Sequence, residues 1–329
     1  MRRRDFIAAV GAGCLSAPHA VRAQQPTTRT IGWLSLRSAD TSTEKNILVA
    51  FRQGLNQTGY VEGRNLTIEF RFADGQHDRL PAFAADLVRR QVEVLMTGGG
   101  TNVARAAQAA TTTIPVIFAN ANDPVQEGIV KSINRPDANI TGAYLLNTAL
   151  VPKRLEVLRQ LVPKARLVGF LVNPNNSNTG DQIRLVQSAA RTMDLELLVL
   201  SATTANEIDA AFATLMQRSV DGLVMGNDQF FQVRQDQVIA VAARYRLPTI
   251  YEWPEFVRAG GLACYSTDRL EIMRQMGVYA SRLLNGAKPA ELPVMQPTKF
   301  ELVINLKTAK HLGLQVTEAL QQLADEVIE

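Results

Sequence analysis

The sequence predicts two doubly wound, Rossmann-like α/β lobes joined by a three-segment hinge. Three observations predict it. From residue 30 onward, short apolar β-type runs alternate with longer segments of helical period, the pattern of βαβ units and a parallel sheet. The pattern breaks near Pro152 and then repeats. The chain left after Tyr251 is too short for a third domain, yet long enough to return once to each lobe. A length of 329 residues suits two domains of about 100 to 200 residues each. With 46% hydrophobic and 20% charged residues, and Gly and Pro scattered without period, neither disorder nor a fibrous repeat fits.

Residues 1 to 23 precede the first strand and have the layout of an export signal: Arg2, Arg3 and Arg4, an apolar run from Phe6 to about Leu15, then the small-residue end Val21-Arg22-Ala23. The run of about ten residues is too short to span roughly 30 Å of hydrocarbon, and no later stretch reaches 18 apolar residues. Arg3-Arg4-Asp5-Phe6-Ile7 resembles a twin-arginine signal, with Arg2 where Ser or Thr is usual. Cleavage follows Ala23; the alternative, lipid attachment at Cys14, lacks the usual Leu because Gly11 stands there. The formal charge of +4 then changes meaning. The signal holds four arginines against Asp5, so of 35 basic and 31 acidic residues the mature chain keeps 31 and 30. A charge near +1 makes no case for nucleic acid. The periplasm is the expected location.

The strand runs are Thr30 to Leu36, Leu66 to Phe72, Val92 to Met96 and Pro115 to Ala119, then Leu167 to Val172, Leu195 to Leu200, Gly222 to Met225 and Pro248 to Tyr251. Helical stripes lie between them at Ile47, Leu48, Phe51, Leu55; at Ile183, Val186, Ala190, Met193; and at Ile208, Phe212, Leu215. Eight strands thus fall into two sets of four. Ile31-Gly32-Trp33-Leu34 overlays Val168-Gly169-Phe170-Leu171 at an offset of 137 residues, Val92 overlays Val220 at 128, and Ile114 to Phe118 overlays Leu247 to Tyr251 at 133. Offsets this close, in order, argue for an internal repeat. Beyond the repeat come Gly260 to Tyr265, a helix from about Asp268 to Leu284, a link punctuated by Pro289, Pro293 and Pro297, the run Phe300 to Asn305 and a last helix. Lobe 1 is expected to comprise 29–147 with about 267–292, and lobe 2 about 150–262 with 296–329. Repeated crossing makes a cleft that closes by bending.

Ligands of open parallel sheets sit beyond the carboxyl ends of the strands. Those positions hold Ser35, Thr97 to Thr101, Asn120 to Asp123, Asn173 to Asn176, Gly226 to Asp228 and Glu252-Trp253. Gly98, Gly99 and Gly100 let backbone N–H groups approach a ligand, and the helix opening at Thr101 offers a positive dipole end to a carboxylate. The run is neither G-x-G-x-x-G nor a P-loop, and a plain turn into a helix is the other reading. Asp123 and Asp228 close matching units and either accept a ligand ammonium or cap the helices behind them. Tyr251, Trp253 and Tyr265 either stack on a ligand ring or pack, with packing favoured for Tyr251. The loop from Asn173 to Asn178 either faces the ligand or makes ordinary turns. Three histidines far apart suggest no triad and no metal cluster, and there is no G-x-S-x-G elbow, so no enzyme, metal or cofactor is expected. Cys264, alone in the mature chain, reads as a small buried hydrophobe.

Gly98-Gly99-Gly100-Thr101, Asn122-Asp123-Pro124-Val125, Asn134-Arg135-Pro136, Asn139-Ile140-Thr141-Gly142 and the closing run from Pro297 to Ala309 resemble the ABC-transporter substrate-binding proteins of the TrpX-like family. The resemblance runs from about Arg29 to the end, and the closing run is its most specific part. It implies a type I periplasmic binding protein fold and a receptor, monomeric by default, that traps a small carboxylate-bearing solute such as an amino acid or aromatic acid and delivers it to an ABC permease. It also implies that Thr101 and its glycines hold the carboxylate and that Asn227 and Asp228 face it. Departures are Asp137-Ala138 in place of two glycines, Asn102 in place of a common Pro, and the bulkier, acidic Glu252-Trp253-Pro254. A ligand-sensing domain for a signalling partner, or less readily an exported enzyme, are the competing readings.

Overall fold

The computed structural model describes residues 28–120, 122–136 and 138–329. The export signal, with its arginines and Cys14, lies outside the described residues, as does Asp137. In chain order the elements are β1 (Arg29–Ser35), α1 (Ser42–Gln57), β2 (Leu66–Phe72), α2 (Leu80–Arg89), β3 (Val94–Gly98), α3 (Thr101–Ala110), β4 (Val116–Asn120) and β5 (Ile140–Tyr144), then α4 (Val151–Leu161), β6 (Leu167–Val172), α5 (Thr179–Thr192), β7 (Glu196–Ser201), α6 (Ala205–Gln217), β8 (Gly222–Met225), α7 (Gln229–Val233), α8 (Gln235–Arg244), β9 (Thr249–Tyr251), α9 (Pro254–Arg258) and β10 (Ala263–Thr267). The tail supplies α10 (Arg269–Leu284), β11 (Phe300–Asn305), α11 (Leu306–His311), α12 (Glu318–Gln322) and β12 (Glu326–Ile328).

Two sheets form. The first, all parallel, has the order β2-β1-β3-β4-β5, and the second has the order β12-β11-β10-β9-β8-β6-β7. Read from β7 to β10, the second sheet repeats the order of the first, which is the internal duplication in three dimensions. The chain leaves the first lobe after β5, re-enters it with α10, and leaves again before β11. Met295 marks the last departure: its N–H donates to the Gly142 carbonyl at 2.9 Å and its carbonyl accepts from Tyr144 at 2.8 Å.

Periodicity explains most elements. In α1 the stripe Ile47, Leu48, Phe51 and Leu55 is buried, and Thr41 caps the helix by accepting from the Glu44 N–H. Trp33 packs edge-on against Phe51 at 5.0 Å between centroids, and its indole N–H donates to the buried Glu44 carboxylate at 2.8 Å. In α6, Ile208, Phe212 and Leu215 are buried; in α5, Val186 and Ala190 are, while Ile183 and Met193 pack from the rim.

The sheets have five and seven strands, where four each were expected. β5 is short and carries Gly142, whose lack of a side chain lets the strand lie against β4: a Cβ there would sit 2.1 Å from the Phe118 carbonyl oxygen. β10 continues the second sheet after the short helix α9, and β11 then pairs with it antiparallel, so that sheet is mixed. The tail ends in two short helices and β12 rather than in one helix. No helix among the described residues is long and apolar enough to cross a membrane.

Candidate functional site

The carboxyl ends of both sheets face a cavity of about 390 Å³ between the lobes. On the first lobe β3 ends in Gly98, whose carbonyl accepts from the Leu36 N–H at 3.1 Å. Gly99 and Gly100 follow at φ 102° and 111°, a region that favours glycine, and a Cβ on Gly99 would lie 2.7 Å from that of Leu36. This turn brings the start of α3 to the cavity wall. Thr101 donates from its hydroxyl to the Asn120 side-chain carbonyl at 2.9 Å, which fixes the amide and leaves its buried NH₂ with no partner among the described residues.

Asp228 stands on the facing lobe. Its carboxylate caps α7 by accepting from the Phe230 N–H at 2.7 Å, and it also accepts from Asn173 at 2.9 Å and Asn176 at 2.6 Å. The capping and ligand-facing readings therefore coincide, because Asp228 both caps a short helix and lines the cavity. The backbone of Asn227 is held by Gln182, which accepts from its N–H at 2.7 Å. A polar seam joins the lobes at one rim: the Asn178 amide donates to Thr148 at 3.0 Å and to Asn122, and Ser177 reaches Glu127 at 3.2 Å. These contacts tie the two lobes together at that rim.

The cleft floor is charged. Arg37 lies 3.6 Å from Glu44, Arg269 donates to Glu255 at 2.5 Å, and the Arg269 guanidinium sits 4.2 Å over the Trp253 ring. Behind it, Glu252 is buried and accepts from the Gln232 amide at 3.0 Å. Burial, only partly offset by Arg154 and that hydrogen bond, pushes Glu252 up to about 8. The folded protein therefore keeps a proton that the unfolded chain loses near its ordinary value of 4.5, and this group's contribution to stability falls as pH rises from there to about 8. Glu252→Gln is expected to flatten that decline and to exceed wild type by up to about 4 kcal/mol at pH 8.5, read from urea unfolding at several pH values. Parallel pH profiles of the two proteins would contradict a proton on Glu252.

Of the residues picked from strand ends, Gly99, Thr101, Asn120, Asn173, Asn227, Asp228 and Trp253 line the cavity. Five lie outside its lining. Ser35 is buried and accepts from the Arg37 N–H at 3.1 Å, shaping the turn after β1. Gly98 lies behind the loop it begins. Asp123 accepts from the Val125 and Gln126 N–H groups, an Asx-type turn. Tyr251 is buried and stacked on Phe256 at 4.9 Å, and Tyr265 is stacked on Phe300 at 6.1 Å. Asn122, from the stretch after β4, and Asn178, from the loop after β6, line it too, and unpicked lining residues include Arg37, Phe230 and Arg269. Arg37 was within reach, two residues beyond a strand end. Arg269 likewise stands two residues beyond a strand end, that of β10, which is not among the eight strands the sequence predicts.

The family model for ABC transporter substrate binding proteins matches residues 40–328. A protein from Clostridioides difficile strain R20291 described as a tyrosine-binding protein is 29% identical over 271 residues, 82% of this chain and 77% of that one. A streptococcal ABC domain solved in complex with L-Trp superposes with TM-score 0.83 at 25% identity, covering 92% of this chain and all of the other. A conserved domain protein from Vibrio cholerae O1 biovar El Tor superposes with TM-score 0.82 at 24% identity, with the same coverage. With the matching two-lobed fold of type I periplasmic binding proteins, these findings place the chain: it belongs to the ABC transporter substrate binding protein family, whose members bind solutes and are not enzymes.

Proposed function

We propose that the protein is the extracytoplasmic receptor of an ABC importer and closes its lobes on a free amino acid, preferably an aromatic one. The observation that carries the reading is the buried, unpartnered Asn120 amide beside the start of α3, with the Asp228 carboxylate across the cleft. The α-carboxylate takes the Asn120 NH₂ and the N–H groups opening α3, where the helix dipole favours an anion. The ammonium group takes Asp228, whose other donors hold it in place. Phe230, Trp253 and Leu145 give the side chain apolar surface. The names of the relatives support an aromatic amino acid, and the arginine-rich leader supports export to the periplasm. The receptor works as a monomer, with 29–147 and 267–292 forming one lobe and 150–262 and 296–329 the other, and it presents both to a permease.

Thermal and urea unfolding of the mature protein against a panel of amino acids, aromatic acids and sugars tests this. L-tryptophan or L-tyrosine at 100 times its dissociation constant is expected to add about 2.7 kcal/mol, and sugars nothing. A panel in which no amino acid or aromatic acid shifts the transition overturns the ligand class.

A further inference from the structure

We propose that Gln182, which lies outside the cavity lining, is a positioning residue: its side-chain amide holds Asn227 and so sets Asp228 where the ligand's ammonium group needs it. This rests on the amino-acid reading above and deepens it. The ladder of the second sheet runs out just before the site. β8 ends at Met225, and the Gly226 N–H donates to the Leu171 carbonyl at 2.8 Å. Asn227 lies one residue beyond that bond and is buried. Buried backbone groups need partners, and Gln182 supplies them. Its Oε1 accepts from the Asn227 N–H at 2.7 Å, while its Nε2 donates to the Asn227 carbonyl at 3.1 Å. One side-chain amide thus pairs with both backbone groups of Asn227, as a neighbouring strand would.

The chemistry of the partners fixes the orientation of this amide. A backbone N–H can only donate, so it must meet Oε1, and Nε2 is then left to find acceptors. It finds the Asn227 carbonyl and, at 2.6 Å, the side-chain oxygen of Asn178. Asn178 is buried as well, and its own NH₂ donates to Thr148 at 3.0 Å and to Asn122 on the first lobe. Gln182 therefore has every polar atom engaged, with Asn227 on one side and the interlobe seam on the other.

Asp228 follows Asn227 directly. Asn173 and Asn176 donate to its carboxylate, but they do not decide where the backbone carries it. Asn176 also donates to the Asn227 carbonyl at 2.9 Å, so the N–H is the group that depends on Gln182. Without that acceptor the buried N–H is unpaired, and the turn must shift to find another, taking Asp228 with it. Linkage makes the effect reciprocal: a hold on Asn227 that favours the ammonium group is strengthened by that group by the same factor.

Titration calorimetry with L-tyrosine, L-tryptophan and their deamino acids, 3-(4-hydroxyphenyl)propionate and indole-3-propionate, measures what the ammonium group adds. In the wild type the better amino acid is expected to bind about 100-fold more tightly than its deamino acid. Gln182→Met keeps the length and removes the hydrogen bonds, so it is expected to shrink that advantage about tenfold while the deamino acid loses far less. A residue that merely fills space would leave the advantage intact. The wild type gives a second reading that needs no variant: hydrogen exchange at the Asn227 N–H, followed by NMR at saturation, is expected to slow about tenfold more with the amino acid than with its deamino acid. An advantage that survives Gln182→Met, equal losses for both ligands included, overturns the role of Gln182 alone, and so does equal protection of Asn227 by both ligands. A wild type that shows no advantage, or binds none of the four, overturns it together with the amino-acid reading.

Discussion

Replacing Arg154 by alanine is expected to lower the unfolding free energy by about 3–5 kcal/mol, among the largest effects of any single side chain here. Arg154 is fully buried on α4. Its Nε donates to the Tyr265 carbonyl at 2.9 Å, Nη2 to the Asn147 side chain at 3.0 Å and Nη1 to the Asn147 carbonyl at 3.4 Å. Asn147 lies on the first crossover and Tyr265 on the strand leading to the second, so one guanidinium ties two hinge segments to the second lobe. Burial pushes its pKa down to about 10, which still leaves it charged at neutral pH. Alanine would strand three acceptors in the interior and remove the cation that most offsets the burial of Glu252. Lysine should recover only part of the loss, since a point charge cannot repeat the forked geometry. Urea unfolding decides it: a loss below about 1 kcal/mol for Arg154→Ala would mean that the hinge does not depend on this side chain.

Gly277→Ala is the second large effect, with an expected cost of about 3 kcal/mol or more. Helices α1 and α10 cross with their backbones in contact at Gly54 and Gly277. A Cβ on Gly277 would lie 2.2 Å from the Phe51 carbonyl oxygen and 2.9 Å from the Leu55 nitrogen, and one on Gly54 would lie 1.9 Å from the Arg274 carbonyl oxygen. Only the movement of a whole helix could relieve contacts with backbone atoms. That movement would also displace Arg269 at the other end of α10 from the cleft floor. Gly180, on α5, is the control: nothing lies within 4 Å of its added Cβ, and alanine there should leave stability equal or slightly higher. If melting temperatures show Gly277→Ala as benign as Gly180→Ala, the close crossing of the two helices is refuted.

The lobes were legible because each of their first four strands is a compact apolar run bounded by turn residues, and because the duplication keeps those runs in register along the chain. β5 and β12 were not, since each is short and owes its place to a neighbour: β5 lies against β4 only because Gly142 sets no Cβ against the Phe118 backbone, and β12 pairs with β11 alone. The rule that ligands sit at strand ends found Thr101, Asn120 and Asp228 directly. It also drew in Tyr251 and Tyr265, whose rings turn back into the protein to stack on Phe256 and Phe300. It passed over Arg269 because β10, which ends two residues before it, is not among the eight expected strands. Ala138 shows another limit. Its φ of 57° is left-handed, a region that favours glycine, yet alanine stands there.

That the cleft grips both charged ends of a free amino acid is tested most directly by titrating the mature protein, in one calorimeter series, with the amino acid that stabilises it most, with its N-acetyl derivative and with its carboxamide. The free amino acid is expected to bind, and each blocked form to lose about 100-fold or more in affinity, because one leaves Asp228 without its ammonium partner and the other leaves the start of α3 and the Asn120 amide without a carboxylate. Blocked forms that bind as tightly as the free amino acid would contradict this arrangement of the site.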